Sequence, residues 1–88
     1  MRTMNYYSYI LKSRSTGNLY KGHTNDLSRR ISEHNSTDKD LKKYTHKDPG
    51  PWELIYSEEF ETRANAMSRE KFYKSGKGRE FIKELLSR

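Results

Sequence analysis

The stretch NYYSYILK (Asn5 to Lys12), with SRSTG (Ser13 to Gly17) and NLYKG (Asn18 to Gly22) behind it, decides the fold. An aromatic, β-branched run, a turn-rich connection and a second short run together predict a β-hairpin. A turn centred between Arg14 and Ser15 would set Tyr9 opposite Tyr20, with both hydroxyls on one face of the sheet.

Outward from the hairpin, Thr24, Asn25 and Asp26 are all competent N-caps for LSRRISEH (Leu27 to His34), where Leu27 and Ile31 sit one helical turn apart. The inward stripe of that helix is Leu27, Arg30, Ile31 and His34, so a guanidinium and an imidazole point toward the protein. Asn35 to Pro51 is a long polar loop carrying Lys39, Lys42, Lys43, His46 and Lys47 with Tyr44 in its middle. Such a loop suits a nucleic-acid backbone with a base to stack, or is simply solvated. Trp52 to Phe60 alternates Trp52, Leu54 and Tyr56 with polar partners and reads as a third strand. Thr62 caps a second helix with an inward stripe of Ala66, Met67, Glu70 and Tyr73, which Gly76 and Gly78 end. A last helix, Arg79 to Leu86, turns Phe81, Ile82, Leu85 and Leu86 inward. The fold class is mixed α/β (α+β): a three-stranded antiparallel sheet flanked by helices, in one domain spanning residues 1–88.

Size and composition remove most other classes. A chain of 88 residues buries only about 60% of its unfolded surface, which leaves no room for a doubly wound nucleotide fold or a barrel. The absence of cysteine removes disulfide scaffolds, thiolate zinc sites and cysteine nucleophiles, and fits a reducing compartment. No window approaches the ~18 apolar residues of a membrane span, so no membrane partner and a cytoplasmic location are expected. The net charge of +6 lies wholly before Asp48: Met1 to Lys47 holds ten Lys and Arg against four acids, and the remainder eight against eight. Segregated charge of this kind favours a basic face, the footprint of a polyanion binder.

A phenol pair on a hairpin, Arg30 and His34 on one inner face and Glu70 on another are the parts of a phosphodiesterase. That chemistry needs a group to activate water, a cation for the phosphorane oxygens, and a metal or acid for the leaving oxygen. A lone carboxylate suits Mg²⁺, which keeps most of its waters.

The runs Tyr7-Ser8-Tyr9-Ile10-Leu11, Tyr20-Lys21-Gly22-His23-Thr24-Asn25-Asp26-Leu27-Ser28-Arg29-Arg30-Ile31-Ser32-Glu33-His34 and Ala66-Met67-Ser68-Arg69-Glu70 resemble the GIY-YIG nuclease domain. The resemblance is greatest to small stand-alone members related to the N-terminal nuclease domain found in excinuclease ABC. It implies a divalent-metal-dependent DNA endonuclease using Mg²⁺ or Mn²⁺, of the kind met in DNA repair or recombination. It implies Tyr9 and Tyr20 as the motif tyrosines, Tyr20 being the general base, and Gly22 as a close-packed glycine. His23 would assist the base, Arg30 would contact the scissile phosphate, His34 would stand one turn further along, and Glu70 would bind the metal. Tyr7, Ser8 and Lys21 depart from the motif without touching a reacting group. On this reading Lys39, Lys42, Lys43 and Lys47 hold the flanking backbone, and a protein partner could supply targeting. The residues do not separate DNA from RNA, and they also accommodate a nucleic-acid-binding module that keeps the fold without cleaving.

Overall fold

The computed structural model describes residues 5–37, 45 and 48–88. Strands β1 (Tyr6–Ser13), β2 (Leu19–Thr24) and β3 (Trp52–Phe60) alternate with helices α1 (Leu27–His34), α2 (Arg63–Tyr73) and α3 (Gly76–Leu86) in the order β1, β2, α1, β3, α2, α3. The sheet is three-stranded and antiparallel, as the sequence predicts, and its strands are ordered β2-β1-β3. The loop lysines Lys39, Lys42, Lys43 and Lys47, with Tyr44 and His46, lie outside the described residues. Among the described residues, no helix is long and apolar enough to cross a membrane.

Strand β1 lies in the middle with both faces covered, which is why its sequence lacks a polar alternation. On one face Tyr9, Leu11 and Trp52 pack with Tyr20 and with Leu27 and Ile31 of α1. On the other, Ile10, Tyr73 and Ile82 pack with Leu19, Tyr56, Phe72 and Phe81. The α2 side also holds a polar knot. Glu58 accepts from Arg69 Nε at 2.7 Å and from Tyr73 Oη at 2.6 Å, and Ser8 Oγ lies 2.7 Å from Tyr73 Oη.

The hairpin register differs from the expected one. Tyr9 faces Gly22, and Tyr20 faces Leu11. The loop is wider than a two-residue turn, closing with Ser13 N donating to Asn18 O at 2.8 Å and Gly17 at a φ of 79°. A partner remote in sequence explains the width: Asp48 accepts from Ser13 Oγ, Thr16 Oγ1 and Asn18 Nδ2 at 2.9, 2.7 and 3.1 Å. The Gly50 amide, and then those side chains against the opposing effect of burial, hold the Asp48 carboxyl at about 2. A displacement of two residues changes no side chain's face, so Tyr9 and Tyr20 still share one, as diagonal neighbours.

Three further expectations are corrected. A bulge opposite Ile10 and Leu11 inserts Ile55, so Tyr56 faces the α2 and α3 side while Trp52 faces α1, breaking the predicted alternation. Met67 and Leu86 lie outside the core at 49% and 45% exposure. Gly76 and Gly78 open α3 rather than end α2, because Ser75 caps that helix by accepting from Gly78 N at 3.1 Å. Glycine at 78 answers a packing demand, since a Cβ there would lie 1.7 Å from the Phe72 carbonyl oxygen. Gly78→Ala is therefore expected to destabilise the fold by about 3 kcal/mol in chemical denaturation. Gly76→Ala, whose added methyl meets nothing within 4 Å, should be neutral or slightly stabilising.

Candidate active site

Residues from β1, β2, α1 and α2 converge on a cleft of about 270 Å³ at the β2 edge of the sheet. Tyr9, Tyr20, Gly22 and Arg30 line it from the α1 side, and His23, Arg63 and Glu70 complete it from β2 and α2. Strand alternation explains the division: Tyr20 and Gly22 share a face with Tyr9, and His23 points to the face on which α2 lies.

The phenols are fixed by packing. Their ring centroids lie 6.1 Å apart, and the Tyr20 ring sits 4.7 Å from that of His34. Gly22 makes room for both, since a Cβ there would come within 2.6 Å of Tyr9 Oη and 3.0 Å of Tyr20 Cε1. His34, at the end of α1, is buried beneath them with Nε2 3.1 Å from Tyr9 Oη and Nδ1 3.1 Å from Thr45 Oγ1. Held this way, the imidazole orients the Tyr9 hydroxyl from below and does not line the cleft.

The charged groups form two sets. Arg30 Nε lies 3.5 Å from Glu33 Oε1 within α1, and the Arg30 side chain is largely covered. Across the cleft, His23 Nδ1 donates to Glu70 Oε1 and Lys74 Nζ to Glu70 Oε2, each at 2.8 Å. Burial alone would raise the Glu70 carboxyl, but the hydrogen bonds and charges of Lys74 and His23 outweigh it and hold the group below the ordinary glutamate range. Glu70 is thus an anion at neutral pH, and it fixes the His23 ring by accepting from Nδ1.

All the expected side chains that the structure describes meet in or under this cleft, His34 forming its support. Sequence reading missed Arg63, which lines the cleft with its guanidinium 4.9 Å above the Tyr6 ring. It missed Lys74 and Thr45 as well, the partners of Glu70 and His34. Lys74 alone left a signal, the i, i+4 spacing to Glu70.

The model of the GIY-YIG catalytic domain matches residues 5–83, which include every strand and the whole cleft. The chain belongs to the GIY-YIG family. It is similar to the UPF0213 protein YazA of Bacillus subtilis, 40% identical over 74 residues that make up 84% of this chain and 71% of that one. The UPF0213 protein of Limosilactobacillus reuteri is 38% identical over 87 residues, covering 98% of this chain and 88% of the relative. The solution NMR structure of the UPF0213 protein BH0048 of Bacillus halodurans matches with a TM-score of 0.53 at 31% identity, over 93% of this chain and 85% of that one. GIY-YIG domains are endonuclease domains, which implies nuclease-type activity with DNA as substrate; the UPF0213 names state no reaction.

GIY-YIG nucleases generally use divalent metals. Among the described residues no three His, Asp or Glu side chains gather as a metal-binding group. A cation held by Glu70 would fill its remaining positions with water and substrate oxygens. An ionised Glu70 at the cleft wall fits that arrangement, the one Mg²⁺ favours.

Proposed function

We propose that the chain hydrolyses phosphodiester bonds in DNA as a divalent-metal-dependent endonuclease. The observation that carries this reading is the cleft itself, where two packed phenols, a largely covered guanidinium and an ionised carboxylate line one small space. Tyr20 takes the proton of the attacking water, and Tyr9, oriented by His34, positions that water by hydrogen bonding. A free phenol ionises near pH 10, so this role requires the Arg30 and His23 cations of the cleft to favour the phenolate, or a metal-bound water to give up its proton directly. His23 assists the base, and Arg30 meets the charge that develops on the phosphorane oxygens. Glu70 would hold Mg²⁺ or Mn²⁺, which when bound would supply charge stabilisation to the leaving 3′ oxygen. Lys39, Lys42, Lys43 and Lys47 hold the flanking backbone.

The test is incubation of the purified protein with nicked, flapped, branched and single-stranded DNA over a range of Mg²⁺ and Mn²⁺ concentrations. Metal-dependent nicking supports the enzyme, and binding without nicking in every metal would leave a nucleic-acid-binding module. Arg30→Ala should lower kcat/KM about 10²-fold, roughly 3 kcal/mol, as loss of a preorganised donor does. A fall in melting temperature large enough to account for the whole loss would make Arg30 a structural residue instead.

A further inference from the structure

Beyond the cleft, the α3 side of β2 carries cations with no carboxylate to meet them. Among the described residues Arg14, Arg29, Arg30, Arg69 and Lys74 each pair with an acid; Lys21, Arg79 and Lys83 are among the eight Lys and Arg that do not, and they alone of these gather round one groove. These three rim a groove of about 240 Å³ with an apolar floor of Leu19, Ile82 and Leu86. The acids of α3, Glu80 and Glu84, each follow a rim cation by one residue and so lie about 100° further round the helix. Like charges gathered over an apolar floor repel one another and stabilise nothing in the free protein. Burial first, then the nearness of Arg79 and Lys74, holds the Lys21 ammonium below its usual range.

The groove and the cleft lie side by side along β2, lined by Lys21 and by His23 respectively. Lys21 and His23 project from the same face of the edge strand, two residues apart, and Lys74, which adds to the field at Lys21, is bonded to Glu70 in the cleft wall. A polyanion leaving the cleft on this side meets Lys21, then Arg79 and Lys83. A duplex would present only phosphates and sugars and leave the apolar floor uncovered. An unpaired strand offers phosphates to the rim and exposed base faces to the floor.

On the reading that the cleft cleaves DNA, we propose that the groove between β2 and α3 binds a single strand leaving the cleft, its phosphates on Lys21, Arg79 and Lys83 and a base over Leu19, Ile82 and Leu86. The preferred substrate is then a duplex carrying a single-stranded tail.

The experiment uses fluorescence anisotropy in EDTA, with a labelled duplex bearing a single-stranded tail and the same duplex with blunt ends. K21Q/R79Q/K83Q should flatten the slope of log K against log salt by about two units on the tailed DNA, three contacts at about 0.7 each, and leave the blunt duplex unchanged. Leu86→Ser, at an exposed leucine, should weaken tailed binding and keep the slope. The charge removals relieve repulsion, so the melting temperature of the triple variant should hold or rise. An unaltered tailed slope, or equal flattening on both DNAs, would overturn the proposal while leaving the nuclease reading intact if metal-dependent cleavage persists. Selective flattening in a protein that cleaves in no metal would support the groove and sink the enzyme. A dimer that Leu86→Ser dissociates would give the groove to a second copy of the chain and likewise overturn the proposal.

Discussion

Glu70→Gln is expected to lower metal-dependent cleavage by on the order of 10⁴, several kcal/mol of transition-state stabilisation, while DNA affinity in metal-free buffer stays nearly unchanged. The substitution keeps the shape of the side chain and removes its charge, so a cation loses its carboxylate ligand and the phosphate contacts are untouched. Folding should suffer little. The pair with Lys74 is half exposed on the lysine side, and such pairs contribute up to about 1 kcal/mol. The folded Glu70 carboxyl titrates below its unfolded value, so its stabilising effect is full above the ordinary glutamate range and is lost as pH falls through the depressed value. Wild type and variant should therefore converge in stability in acid, which equilibrium denaturation at several pH values will measure. Nicking at the wild-type rate by Glu70→Gln would remove the metal assignment.

Tyr20→Phe should cut the cleavage rate by about 10³-fold, within the range that a positioned general base supplies. The ring that packs on His34 and Tyr9 is retained, so stability should change by no more than about 1 kcal/mol. If the phenol must ionise, the wild-type rate climbs with pH until it titrates, and that climb disappears in the Phe variant. Tyr9→Phe should cost less, since the role proposed for the Tyr9 hydroxyl, held 3.1 Å from His34 Nε2, is to orient the site and not to take the proton. Equal rates for wild type and Tyr20→Phe at every pH would take the phenol out of the chemistry.

Local signals were enough for most of the scaffold. The bounds of Trp52 to Phe60 and Leu27 to His34 were legible to the residue, because turn residues, caps and helical periodicity are written within or beside each segment, whereas the bulge that turns Tyr56 to the other face left no such mark. Hairpin register was not, because Asp48, 30 or more residues away, sets the width of the loop. The start of α3 was misread for a related reason: Gly78 resembles a stop signal locally, and only the neighbouring Phe72 carbonyl shows why it belongs inside a helix. In the cleft, Arg30 and Glu70, with His34 beneath, stood out as polar groups on inward helix faces, and Tyr9 and Tyr20 as a phenol pair on one face of the hairpin. Arg63 is the first residue of α2, where the helix dipole disfavours a cation, but nothing in the sequence ties that departure to the site; its place in the cleft follows only from the docking of α2 on β1 and β2.

The proposed base and its assisting histidine lie on β2, which hydrogen-bonds to the sheet along one side only. In hydrogen-exchange terms the amides of β1, protected by two neighbours, should report global unfolding, and those of β2 should exchange through smaller openings that leave β1 paired. Catalytic competence then has its own free-energy threshold, lower than that of the fold. A population with β2 frayed would remain native by melting curve and circular dichroism while its phenols are out of register. A nucleic acid seated in the cleft couples to that opening, so bound substrate slows exchange on β2 and leaves β1 as it was. Occupancy of the site can thus be followed by exchange even in a variant that no longer cuts.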